Sequence, residues 1–180
     1  MYEAYLVLNN QEIVGTLDFY VLKTTQESLK KNGLELTIPE VLKASLDGNA
    51  LVMSTLLINS VMRKTKITAD EIFKLREDDI KDDPNNDKLK ESFAKMFQYF
   101  LDLFEICFSN EFEMSKKEVE FEDEEDETPK DYDFALMEYM WTTYLHRNDF
   151  WEITPKKYIE QIKIFEKHHL KNDNSNIVEL

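Results

Sequence analysis

Glycine is scarce in this chain: three residues in 180, at positions 15, 33 and 48. A phosphate-cradling loop or a dinucleotide fingerprint needs several glycines within a few positions, so neither is present. Cysteine is scarcer still. The single thiol, Cys107, excludes an intrachain disulfide framework and leaves too few thiolates for a structural zinc site, a usage that suits a reducing cytoplasm. Of the three histidines, His146, His168 and His169, the adjacent pair would diverge on a helix and make poor joint metal ligands. The acidic run Glu122 to Glu127 lacks the glycine-centred spacing of an EF-hand loop. No activated nucleophile, metal cluster or phosphate cradle leaves its spacing here, so the expectation is a protein with no enzymatic activity, no cofactor and no metal.

Long apolar runs are missing too. The most apolar window, residues 93–108, is interrupted by Lys95, Gln98, Asp102 and Glu105 and is shorter than the roughly 20 residues that span a bilayer. The start, Met1-Tyr2-Glu3-Ala4-Tyr5-Leu6, has no basic stretch leading into an apolar one, so no secretion signal is expected and the location expected is cytoplasmic. Positive charge is in short supply: 22 Lys and Arg against 37 Asp and Glu, a net charge of −15. Binding to nucleic-acid phosphates draws on cations that displace counterions, which makes DNA and RNA poor ligands. Neither a nucleic-acid nor a membrane partner is expected.

What the chain does have is apolar periodicity and helix punctuation. Tyr5 and Val7, then Ile13, Gly15 and Leu17, flank Asn9-Asn10 and predict a β-hairpin. Phe19, Leu22, Gln26 and Leu29 follow helical spacing up to a left-handed stop at Asn32-Gly33. Thr37-Ile38-Pro39-Glu40 and Thr68-Ala69-Asp70-Glu71 are capping boxes that open two more helices. Between them Leu51 to Met62 forms a very apolar helix, suited to a central place. After a polar break at 82–86, a helix over about 87–108 stacks Phe93, Phe97, Phe100, Leu101, Phe104 and Phe108 around a narrow polar stripe. Little of it can face water alone, so it must be covered by its own core, by another subunit or by a client.

The fold expected is mainly α with a small N-terminal β-hairpin, an α+β arrangement. Residues 1–108 form the hairpin-plus-helices domain, 109–133 an acidic flexible linker, 134–170 a C-terminal helical hairpin and 171–180 a frayed tail. That last hairpin draws attention. Met137, Met140, Trp141, Tyr144, Phe150, Trp151 and Tyr158, with Thr154 capping and Pro155 starting the final helix, put large adaptable side chains on a piece too small for much core of its own. It must dock, either on its own N-terminal domain or on an amphipathic helix of another protein.

Tyr5-Leu6-Val7-Leu8-Asn9-Asn10-Gln11-Glu12-Ile13 and Asp18-Phe19-Tyr20 resemble the opening strand, turn and first helix of the tail assembly chaperones of long-tailed bacteriophages. Phe150-Trp151-Glu152-Ile153-Thr154-Pro155 is similar to a signature near the C-terminal end of that family's long, frameshift-extended form. The acidic segment is a departure from its pattern. The resemblance implies a chaperone in the host cell cytoplasm whose N-terminal domain contacts tail tube protein or further copies of itself. It also implies that the C-terminal extension engages the tape measure protein; the contacts expected there are Met137, Met140, Trp141, Tyr144, Phe150, Trp151 and Tyr158, with Thr154 and Pro155 setting the last helix. The alternative from another class is an acidic inhibitor or DNA mimic, with residues 118–133 in a basic groove of a nucleic-acid enzyme.

Overall fold

The computed structural model describes residues 2–81, 86–108 and 130–173. It is mostly helical with one small antiparallel sheet, as the periodicity predicts. Strands β1 (Ala4–Leu8) and β2 (Gln11–Gly15) pair with Leu6 opposite Ile13 and Leu8 opposite Gln11. Asn9 and Asn10 both take positive φ, 46° and 60°, the left-handed pair that a two-residue hairpin turn requires and that asparagine tolerates. Ala4, Leu6, Leu8 and Ile13 point inward while Tyr5 and Val7 face out. A lone hairpin is marginal in water; this one lies against the third and fifth helices.

Helix α1 (Phe19–Lys31) starts at Asp18, whose carboxylate accepts the Val21 N–H at 2.9 Å. It ends at Gly33, φ 81°, where the N–H groups of Gly33 and Leu34 donate to the carbonyls of Lys30 and Leu29. Leu34 then packs on Leu29, so the last turn is closed by two hydrogen bonds and an apolar contact. Helices α2 (Ile38–Leu46) and α4 (Ala69–Ile80) open with the two expected capping boxes, Thr37 with Glu40 and Thr68 with Glu71. In each the glutamate accepts hydrogen bonds from the threonine's backbone N–H and hydroxyl, which holds its carboxyl below the usual range. Helix α3 (Ala50–Met62), capped by Asn49, packs on both α1 and α2. Helix α5 (Asp87–Cys107) buries Met96, Tyr99, Phe100, Leu103 and Cys107 against the sheet.

From Asp131 onward the chain is docked on the N-terminal helices. Asp131 accepts the Ile38 N–H at 2.8 Å and a Gln26 amide N–H at 2.6 Å, capping α2 from outside, and Tyr132 sets its ring edge-on to Phe19. Helix α6 (Phe134–Tyr144), a 3-10 turn (Phe150–Glu152) and α7 (Pro155–Asp173) complete the described chain. The acidic stretch 109–129 and residues 174–180 of the expected tail lie outside the described residues, while 171–173, expected to fray, continue α7. Of the expected linker only 130–133 is described, and 131–133 belongs to the packed fold. One apolar core runs from Ala4 and Leu6 through Phe19, Leu56 and Phe100 to Trp141, Phe150 and Tyr158; Leu29, Val41 and Val52 form a smaller second cluster. The C-terminal hairpin therefore docks on its own N-terminal domain.

Candidate protein-binding surfaces

The nine residues singled out on the C-terminal hairpin are mostly turned inward. Phe150 stacks on Phe19, centroids 4.6 Å apart, and Tyr158 meets the same ring edge-on and lies against Trp141. Backbone fixes the joint as well: the Phe19 N–H donates to the Ile153 carbonyl at 3.0 Å. Arg63 donates to Asp18 at 2.7 Å, within longer reach of the Trp151 carbonyl at 3.4 Å. Thr154 and Pro155 are buried, with Thr154 accepting the Lys157 N–H where α7 begins. Met137 packs partly buried on the core, and Met140 lies against the Tyr158 hydroxyl. Of the nine, Tyr144 alone is largely exposed; it touches Tyr139 and Phe165.

Both indoles are held by carboxylates of the same hairpin. Trp141 is fully buried and donates to Asp149 at 2.9 Å; Trp151, half-buried, donates to Glu138 at 2.9 Å. A buried indole N–H needs such an acceptor. Arg147 closes the first pair, bonding Asp149 at 3.1 and 2.9 Å with its guanidinium 5.0 Å from the Trp141 ring. Burial pushes the Asp149 carboxyl up, but the hydrogen bonds from Arg147 and Trp141 and the Arg147 charge outweigh it and leave it below the usual carboxylate range. In this conformation Trp141, Phe150, Thr154, Pro155 and Tyr158 are covered by the chain itself, which leaves them no surface to offer a client. The expectation that they face a partner is corrected to that extent.

The open apolar surface lies elsewhere. Between α3, α4 and α5 runs a groove of about 120 Å³, walled by Met53, Leu57, Ile72, Phe73, Phe93 and Met96. Its rim residues remain in water: Phe73 is 43% and Phe93 48% exposed, and one and two turns along α5 Phe97 and Leu101 are 40% and 39% exposed. Helix α5 therefore has two apolar faces. The Met96, Tyr99 and Leu103 side enters the core, while Phe93, Phe97 and Leu101 form a second stripe at four-residue spacing.

One cation lines this groove. Arg76 places its guanidinium 4.8 Å from the Phe93 ring centroid, and its Nε is buried with no hydrogen-bond partner. Among the described residues the one other such atom is the Ser92 hydroxyl, one turn before Met96. Sequence reasoning names Phe93 and Phe97 and places Ile72, Phe73 and Leu75 on a short helix, but passes over Arg76. The available signal was the second apolar stripe on α5, too wide for one neighbour to cover, beside an Ile72-Phe73 pair on a short helix whose remaining positions are mostly polar.

Reactive groups do not converge. Cys107 is buried and its thiol is pushed up to about 11 by desolvation, which keeps it protonated and unreactive. Tyr99, also raised by burial, shares a hydrogen bond with the Ser60 hydroxyl at 2.8 Å beneath the sheet. No group of three or more His, Cys, Asp or Glu suited to a metal occurs among the described residues, and no single described helix is long and apolar enough to cross a membrane. Comparison with protein-family models, with curated proteins and with solved structures finds no match to this chain.

Proposed function

We propose that this protein is a non-catalytic chaperone of phage tail assembly, which keeps apolar helix faces of the tape measure protein covered until tail tube subunits displace it. The observation that supports this reading best is the apolar groove bounded by α3, α4 and α5, continued by the exposed Phe97 and Leu101. Exposed apolar surface of this kind, rimmed by charged side chains, suits an amphipathic helix. The resemblance of the opening hairpin and of Phe150 to Pro155 to tail assembly chaperones supplies the biological setting. Covering a client's apolar face lowers the free energy of its soluble form relative to its aggregate, so binding alone performs the work and no covalent step is needed.

On this reading the C-terminal aromatic hairpin stabilises the chaperone, and the client contacts are shifted to α4 and α5. The test is co-expression with a helical tape measure fragment. Phe93→Ala with Phe97→Ala should lower the soluble yield of the fragment while leaving the yield and melting of the chaperone itself near wild type. An unchanged client yield in that double variant removes the groove from the mechanism. A fragment that is equally soluble with no chaperone present removes the mechanism.

A further inference from the structure

We infer that the groove between α3, α4 and α5 is built for one class of occupant: an amphipathic helix carrying a Leu, Met or Phe anchor with a carboxylate three or four residues away, received by Arg76. This deepens the chaperone reading and rests on it for the identity of the client. The size of the space decides first. At about 120 Å³ it falls below the roughly 300–1,000 Å³ of small-molecule sites and is closer to the scale that holds one benzene-sized group. A single side chain fits; a cofactor does not.

Charge decides the rest. In a chain with 37 carboxylates and 22 Lys and Arg, an arginine has ample chance of an acidic neighbour, yet Arg76 has no ion pair or hydrogen bond among the described residues. Instead it lies over Phe93 with Nε withdrawn from water. A buried N–H without an acceptor is costly, and a planar guanidinium is suited to a carboxylate. An acidic residue one turn from an anchor seated in the groove would supply that acceptor. The exposed side of α4 is net acidic: Asp70 and Glu77 flank Phe73 with Lys74 between them, and neither acid is paired within the described residues. The occupant's flanks should therefore be basic, with its single favoured carboxylate at the centre. Such a pattern also rejects purely acidic helices, which α4 repels.

The experiment uses the full chain as bait for a displayed library of helical peptides about five turns long. Selected sequences should share an anchor with Asp or Glu three or four positions away. In fluorescence anisotropy, Arg76→Met and conversion of the peptide's carboxylate to its amide should each weaken binding by about tenfold, and the two losses should not add, as a double-mutant cycle demands of a direct pair. Ala50→Phe, which fills the groove from its exposed rim, should abolish binding. Should Arg76→Met melt early, the amide peptide against wild-type protein reads the same pair without touching the fold. Failure to select any peptide, selection without a carboxylate preference, or binding indifferent to Ala50→Phe overturns the inference. So does a concentration-dependent dimer in sedimentation that Ala50→Phe dissolves, which would give the groove to a second copy. A groove that selects such helices in a chain unable to keep a tape measure fragment soluble leaves this inference standing and removes the chaperone reading. A soluble client whose yield ignores Ala50→Phe does the reverse.

Discussion

Helices α6 and α7 and helices α4 and α5 both carry aromatic side chains at helical spacing, but the molecule uses the two pairs in opposite ways. On the C-terminal side Phe150 and Tyr158 close on Phe19 and Trp141 lies on Tyr158, each indole N–H finding a carboxylate. On α4 and α5, Phe73, Phe93 and Phe97 stay half in water, beside a guanidinium with no ion pair among the described residues. Aromatic richness alone does not mark a binding face. The useful distinction is whether the polar atoms beside the rings are satisfied from within the chain, because a fold that completes its own hydrogen bonds leaves nothing for a partner to supply.

The comparison breaks first, if it breaks, at Trp141. Trp141→Ala should cost about 3–5 kcal/mol, the range for emptying a buried indole site, read as a lower denaturant midpoint. A loss below about 1 kcal/mol, the range of surface substitutions, would mean that the hairpin is detachable and the ring available. Next comes Gly15→Ala, which probes the buried side of α5: the added Cβ would lie 1.8 Å from the Tyr99 hydroxyl oxygen. A loss of about 1–3 kcal/mol is expected from this overpacking, with part of it recovered in the double variant Gly15→Ala, Tyr99→Phe.

Asp149→Asn should cost about 1 kcal/mol at neutral pH, below the roughly 1.5–3 kcal/mol of hydrogen bonds to a charged group because Asp149 is one-third exposed. Its folded pKa lies below its ordinary value. Its contribution is therefore present above the unfolded pKa near 4 and is lost as the pH falls through the lower, folded one. Chemical denaturation of wild type and variant should converge as the pH falls through that lowered value; a gap that persists in acid assigns the effect to packing. The smallest change sharpens the comparison most. Phe93→Ala should alter stability by about 1 kcal/mol or less while weakening client binding, and a large loss of stability would place that ring in the core.

Local chemistry was legible in advance. Asn9-Asn10, the threonine-glutamate pairs at 37–40 and 68–71, Asn32-Gly33 and Thr154-Pro155 each fix a turn or helix end through contacts within a few residues, and each does so in the structure. What escaped depends on partners far along the chain. The sequence makes Phe150 and Tyr158 conspicuous but cannot say that Phe19 lies against both. Asp131 reads as one more charge at the end of an acidic run, though it seats on the first turn of α2. Phe93 and Phe100 look equivalent on a helical wheel crowded with rings, and only the positions of β1 and α4 separate the exposed one from the buried one. Arg76 gives no sign at all, since an unpaired cation is defined by what its neighbours fail to provide.

The hydrogen bond from Phe19 to Ile153 joins the beginning of the first helix to a loop near the end of the described chain. Synthesis delivers residues in order, so the pocket around Phe19 stays open on the ribosome until Phe150, Ile153 and Tyr158 have emerged. The entropy of closing so long a loop rises only slowly with its length, but the delay is set by translation, at roughly 5–20 residues per second. Until then Phe19, which every finished molecule buries, is without the two rings and the carbonyl that cover it.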